Sequence, residues 1–199
     1  MDKTLSKTNQ NQIVCIVGMC GSGKSIVADE LVKAGFAFAR FGQITLDIVK
    51  ERGLAPTEEN EKKIRESLRK EHGMGAFAIL NLPKFDQLLE KSNLAADNLM
   101  SWSEYKILKE YYGKRLTILA ILSPPELRYA RLQARTKIDE KMRNRPLTVE
   151  QAKSRDYAEI ENIEKGGPIA MANYYILNLS STENLKKEVA LFLEWLKVS

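Results

Sequence analysis

Ile13-Val14-Cys15-Ile16-Val17-Gly18-Met19-Cys20-Gly21-Ser22-Gly23-Lys24-Ser25, followed by Ile26-Val27-Ala28-Asp29-Glu30-Leu31-Val32, is the stretch that decides the fold. Its first five residues form an unbroken apolar run, the pattern of a strand buried on both faces. Ile26 to Val32 reads as a helix. Between them, Gly18 to Ser25 fits G-x-x-x-x-G-K-[ST], a phosphate-binding loop in the strand-loop-helix context that such a loop requires. The glycines let the backbone curl so that successive N–H groups point inward at a phosphate. The helix beginning near Lys24 adds the positive end of its dipole. Lys24 is placed to reach the β and γ phosphates, and the Ser25 hydroxyl suits a magnesium ion. The nucleotide cradle is therefore read as Gly18, Cys20, Gly21, Ser22, Gly23, Lys24, Ser25 and Ile26.

Outward from this unit, short apolar runs alternate with helical stretches, which predicts an α/β fold with a mainly parallel sheet. Strands are expected at 36–39, 94–97, 116–122 and 174–177. Helices are expected at 44–51, from Pro56 to about Glu71, from Ala76 to about Glu90 with Pro83 as a kink or restart, and at 103–112. A further helix opens at Pro124-Pro125-Glu126 and carries Arg128, Arg131 and Arg135. The polar, basic stretch 136–147 reads as a lid, 148–165 as a helix, Gly166-Gly167-Pro168 as a loop, and 184–197 as the last helix. The charges of the 58–70 segment suit a solvated helix face with i,i+4 pairs. Residues 1–11 are read as a flexible polar leader and 12–199 as one domain.

Composition narrows the class. A length of 199 residues fits one domain, and 44% apolar with 29% charged residues is globular. No apolar stretch has membrane-spanning length, and the polar leader has no signal-peptide core, which points to the cytoplasm. Two cysteines five positions apart, Cys15 and Cys20, suggest neither a disulfide framework nor a metal knuckle. Cys15 reads as core and Cys20 as a thiol beside bound phosphate. The single histidine, His72, reads as a helix-end residue. The net charge of +5 suits either a nucleic-acid partner or a phosphate-transfer enzyme. Many arginines fall between Arg128 and Arg155, and no nucleic-acid-binding motif is visible, so nucleic acid is not the expected partner.

Phosphoryl transfer needs charge neutralised on the transferred group, acceptor aligned with donor, and water excluded. Arg128, Arg131 and Arg135, three and four apart, share one helix face. Such a face either surrounds an anion or splays into solvent. Arg143, Arg145 and Arg155 are positioned to close over the same phosphates. Asp97, ending a strand, either holds magnesium with Ser25, orients an acceptor hydroxyl, or caps the next helix. The catalytic set is read as Lys24, Arg131, Arg135 and Asp97, with Ser25 and Asp97 as metal ligands.

The loop 18–25, the run Pro124-Pro125-Glu126-Leu127-Arg128-Tyr129-Ala130-Arg131-Leu132-Gln133-Ala134-Arg135, and Arg155-Asp156 resemble the nucleoside monophosphate kinase group of P-loop proteins. Arg52-Gly53-Leu54-Ala55-Pro56-Thr57, Arg155-Asp156-Tyr157-Ala158-Glu159 and Ala170-Met171-Ala172-Asn173-Tyr174 extend the similarity. They point to adenylate-kinase-related, dephospho-CoA-kinase-like proteins over roughly 12–197. The resemblance implies a three-layer P-loop NTPase fold with a five-stranded parallel sheet, a helical acceptor region near 40–100 and a short lid. It also implies that Lys24, Arg131, Arg135, Arg145 and Arg155 handle ATP phosphates. In that group an arginine after the second strand and another after the third grip the acceptor phosphate. Here those places hold Leu46 and Met100, and Gly42 is followed by Gln43. Arg40, Gly42, Gln43 and Trp102 are the acceptor candidates. The aromatics Phe41, Phe77, Trp102 and Tyr105 suit either core packing or contact with a base or pantetheine-like arm. The expected activity is ATP- and magnesium-dependent phosphotransfer to a small nucleotide-like acceptor. The alternative is a regulatory P-loop NTPase with a protein or RNA partner. No Asn-Lys-x-Asp element of guanine readers occurs, which favours ATP.

Overall fold

The computed structural model describes residues 11–135 and 146–199. The apolar runs form strands β1 (Ile13–Val17), β2 (Ala37–Arg40), β3 (Leu94–Asp97), β4 (Leu116–Leu122) and β5 (Tyr174–Leu177). Among the described residues they make one sheet in the order β2-β3-β1-β4-β5, parallel throughout. β1 lies centrally, with Ile13 opposite Leu94 on one side and Leu116 on the other. All five of its residues are buried, which is why it reads as a continuous apolar run. The helices are α1 (Lys24–Lys33), α2 (Gln43–Glu51), α3 (Glu58–His72), α4 (Ala76–Leu89) and α5 (Trp102–Tyr112). After these come α6 (Pro125–Gln133), α7 (Val149–Ile163), α8 (Gly166–Ala170) and α9 (Thr182–Val198).

Side chains of β1 alternate between two cores, as a period of two demands. Val14 and Ile16 pack with α1 and α9 residues such as Leu31, Leu185 and Phe192. Ile13, Cys15 and Val17 face α4 and α5 through Phe85, Tyr105 and Leu108. The result is a three-layer α/β/α sandwich. The chain passes from β1 to β2, returns to β3 and then crosses to β4 on the far side of β1. That reversal opens a crevice at the carboxyl ends of the central strands, where such sheets bind ligands.

Helix starts differ in a way that bears on this crevice. Thr57, Ser101, Thr148 and Ser181 cap α3, α5, α7 and α9 with their side chains. Helix α1 begins on Gly23, with no side-chain cap and no acidic residue in its first turn. The uncapped amides point into the crevice.

Several expectations shift. The second strand starts and ends one residue later than expected, reaching Arg40. Helix α4 runs unbroken through Pro83. Pro83 withholds only the donor for the Ile79 carbonyl, and Ile79 is exposed. Gly166-Gly167-Pro168 is not a loop but the start of α8, where a proline in the first turn loses no hydrogen bond. Helix α6 ends at Gln133, so Arg135 lies beyond the helix expected to carry it. Asn11 is anchored, donating to the Leu89 carbonyl and accepting from Arg115. Residues 1–10 of the expected leader and 136–145 of the expected lid lie outside the described residues. Among the described residues no helix is long and apolar enough to cross a membrane.

Candidate functional site

The loop after β1 is fixed by its carbonyls. Arg128 donates to the Cys20 carbonyl at 3.1 Å, and Asn178 donates to the Ser22 carbonyl at 2.8 Å. Lys24 closes the mouth by donating to the Gly18 and Met19 carbonyls at 2.8 and 3.1 Å. In a planar trans peptide the N–H points opposite to the C=O. Tying the Cys20 and Ser22 carbonyls to the protein body therefore turns the Gly21 and Gly23 amides the other way, into the loop's hollow. Gly18 and Gly21 are among the glycines that this path requires. Gly18 has φ 151° and a Cβ there would sit 2.4 Å from the Ile121 carbonyl oxygen. Gly21 has φ 82° and a Cβ would sit 2.7 Å from the Arg128 carbonyl oxygen. Inward amides, an uncapped helix start and a lysine across the mouth fit the phosphates of a nucleotide.

Burial, reinforced by repulsion from Lys165, pushes the Lys24 ammonium down to about 8. Asp97 draws it partly back up. Asp97 closes β3, pairs in register with Ile16 and Arg40, and is buried. The turn after it requires Asn98 at φ 72°, an unfavourable conformation that asparagine tolerates best among ordinary residues. The Asn98 and Leu99 amides both donate to the Ile16 carbonyl, which holds the β3 end against β1. Ser25 stands in the first turn of α1. Lys24, Ser25, Asp97 and Arg40 are thus gathered at one end of the sheet.

The arginines do not share one task. Arg128 is buried and holds Asp156 at 2.6 Å while donating to the Ser123 carbonyl at 3.1 Å. It braces the loop from outside. Arg131 donates to Ser123 Oγ, to the Asn178 carbonyl and to the Ser180 carbonyl, each at 3.1 Å. It spans the ends of β4 and β5. Arg155 is half-exposed and pairs with Glu159 at 2.9 Å, within electrostatic reach of Cys20. Arg143 and Arg145 lie outside the described residues.

Four groups at the site are given no role by the sequence, although two of them, Asp156 and Glu159, lie in a motif that carries the resemblance. Asn178 joins the loop to Arg131. Asp156 anchors Arg128. Glu159 and the buried Lys165 form a 2.7 Å pair under the β3 end, and Lys165 also meets Met100 Sδ at 3.4 Å. Burial would raise the Glu159 carboxyl, but Lys165 and Arg155 hold it down to about 2. Only the Arg155–Glu159 spacing of four was visible in the sequence; the other pairings join distant segments.

On the acceptor side, Gly42 precedes α2 and Gln43 donates to Asp47 at 2.9 Å. Trp102 stacks on Tyr105 with ring centres 5.0 Å apart and lies under Gly167, where a Cβ would meet the indole at 2.7 Å. Phe41, Phe77 and Tyr105 are core residues, which decides their sequence alternatives in favour of packing.

A family model described as an AAA domain matches residues 14–162. A UPF0200 protein of Thermococcus gammatolerans is 37% identical over 184 residues, 92% of this chain and 94% of that protein. The crystal structure of TT1252 from Thermus thermophilus superposes with a TM-score of 0.64 at 18% identity, covering 96% of this chain and 99% of the other. Shikimate kinase from Aquifex aeolicus follows at 0.52 and 22%, covering 92% and 96%. A gluconokinase from Sinorhizobium meliloti gives 0.57 and 15%, covering 94% and 93%. The fold is therefore that of P-loop kinases.

Proposed function

We propose that this chain, which belongs to the AAA-domain family and to the UPF0200 proteins, transfers the γ-phosphate of ATP to a small nucleotide-like acceptor. The observation that carries the reading is the loop itself, with the Gly21 and Gly23 amides turned inward, α1 uncapped and Lys24 over the mouth. The loop amides and Lys24 hold the phosphates of the donor. Asp97 orients the acceptor hydroxyl toward the γ-phosphorus. As the acceptor oxygen bonds to phosphorus, the bond to the bridging oxygen of ADP breaks; a hydroxyl acceptor gives its proton to the Asp97 carboxylate, whereas a phosphate acceptor attacks through an oxygen that is already ionised. Arg131, Arg135, Arg145 and Arg155 serve the developing charge. The Ser25 hydroxyl and Asp97 carboxylate are the groups that would hold magnesium, which would supply neutralisation of the phosphate charge. Arg40, Gly42, Gln43 and Trp102 border the acceptor side.

The test is ADP release with ATP and magnesium against the common nucleoside monophosphates and dephospho-CoA, with Lys24→Ala as control. Stimulation by one acceptor, lost in the variant, is expected. Slow hydrolysis indifferent to every acceptor sinks the phosphotransfer reading and leaves the second one, a regulatory NTPase. That reading is favoured by the non-basic Leu46 and Met100 where acceptor-gripping arginines are expected.

A further inference from the structure

Two polar atoms on the acceptor side, Oε1 of buried Glu104 and Nε of half-buried Arg69, are shut off from solvent with no hydrogen-bond partner among the described residues. Glu104, in the first turn of α5, is fully buried. Its Oε2 accepts from the Met100 and Ser101 amides at 2.9 and 3.0 Å, while its Oε1 accepts nothing. Arg69, in the last turn of α3, lies over the Phe77 ring at 5.5 Å. Its Nε is shut off from solvent and donates to nothing. Ser101 Oγ donates to the Met74 carbonyl at 3.2 Å, tying the turn after α3 to the start of α5. Burial raises the Glu104 carboxyl, while the Ser101 and Met100 amides and then the Arg69 charge draw it back toward the ionised form, yet no ion pair joins it to Arg69.

An unbonded buried carboxylate oxygen and guanidinium nitrogen are each unfavourable. Holding both in one region makes sense where a guest supplies the missing donor and acceptor. The charges bound the guest's nature. Arg69 and Glu104 are of opposite sign, and the nearby Lys165 is already matched by Glu159. An anionic guest would be repelled by Glu104 and a cationic one by Arg69. The fitting guest is neutral and presents an N–H beside a C=O.

We propose that the region between α3 and the start of α5 is a subsite for the acceptor's base, with Glu104 Oε1 receiving its N–H and Arg69 donating to its adjacent carbonyl. The class is a keto base of the uracil or guanine type. The inference rests on the phosphotransfer reading, but its test measures binding alone, so failure of one is distinguishable from failure of the other.

The probes are uridine, 3-methyluridine and cytidine, titrated by NMR into the full chain loaded with ADP and magnesium. ADP binding is checked separately. Uridine should bind roughly tenfold more tightly than 3-methyluridine, the scale of one hydrogen bond to a charged group. Glu104→Gln is the decisive variant. Its amide oxygen must still serve the Met100 and Ser101 amides, which turns its NH2 toward the guest. Acceptor becomes donor, and the preference should swing from uridine to cytidine, whose ring nitrogen carries a lone pair. Arg69→Met, on a half-buried side chain that no hydrogen bond ties to the fold, should weaken uridine roughly tenfold. Equal binding of uridine and its methylated form, an unchanged preference in Glu104→Gln, or no saturable nucleoside binding would each overturn the proposal.

Discussion

Replacing Arg128 with methionine separates its structural and functional duties. The guanidinium is buried against Asp156 at 2.6 Å and also holds the Ser123 and Cys20 carbonyls. With Arg128 gone, Asp156 keeps only the Tyr129 hydroxyl at 2.9 Å, since its Oδ1 has no partner among the described residues. Stranding a buried charge in this way costs about 3–5 kcal/mol. For a chain of this size that lowers Tm by about 6–20 °C. The double variant Arg128→Met/Asp156→Leu removes both charges, and most of that stability should return. Nucleotide affinity should behave differently. The Cys20 carbonyl loses its donor in both variants, the Gly21 amide is no longer held inward, and affinity falls roughly tenfold in each. Thermal denaturation and titration with a fluorescent ATP analogue read the two effects. A single variant within about 1 kcal/mol of wild type, or a double variant that regains nucleotide affinity with its stability, would refute the bracing role.

Lys24→Met should leave the nucleotide-free protein as stable as wild type or more so at pH 7, because it removes a buried ammonium. The unfolded lysine binds its proton up to the ordinary lysine range, whereas the folded one releases it near 8. Wild-type stability therefore rises with pH across that window, and the variant's relative gain should vanish there. Phosphate beside Lys24 favours its charged form, so calorimetry at pH 8 in buffers of different ionisation heat should show uptake of about half a proton on ATP binding. Glu159 is held down to about 2, so its stabilisation is complete above the ordinary glutamate range and is lost as pH falls toward 2. Glu159→Gln should flatten the acid limb of the stability profile over that interval; an unchanged limb would deny the pairing with Lys165 and Arg155. Glu164 ends α7 at φ 54°, and Glu164→Gly should relieve about 1 kcal/mol and raise Tm by about 2–4 °C in a melting scan.

The sequence by itself determined the nucleotide loop and the parallel sheet. Both are written in contiguous residues. An apolar run, a glycine-patterned turn and a helix start carry their own geometry, so Ile13 to Val32 declares the strand, the cradle and the first helix without help from the rest of the chain. Strand β3, with Asp97 at its end, was legible for the same reason. Tertiary structure alone decided what the charges do. Periodicity places Arg128 and Arg131 on a face of α6 but says nothing of what packs there. Burial beside Asp156 turned Arg128 into a brace, and Arg131 spans two strand ends. Lys165 is read in the sequence only as the end of the helix expected at 148–165. It is buried because Glu164 takes a left-handed turn and the Lys165 amide caps the Glu159 carbonyl, steering the side chain onto the Glu159 carboxylate. Glu104 is read in the sequence only as one residue of the helix expected at 103–112; its place in a capping box and its unbonded second oxygen appear only in the folded structure. Local pattern fixes backbone direction over a few residues. A charge acquires its partner only when segments far apart in the chain are packed together, and no spacing along the sequence encodes that distance.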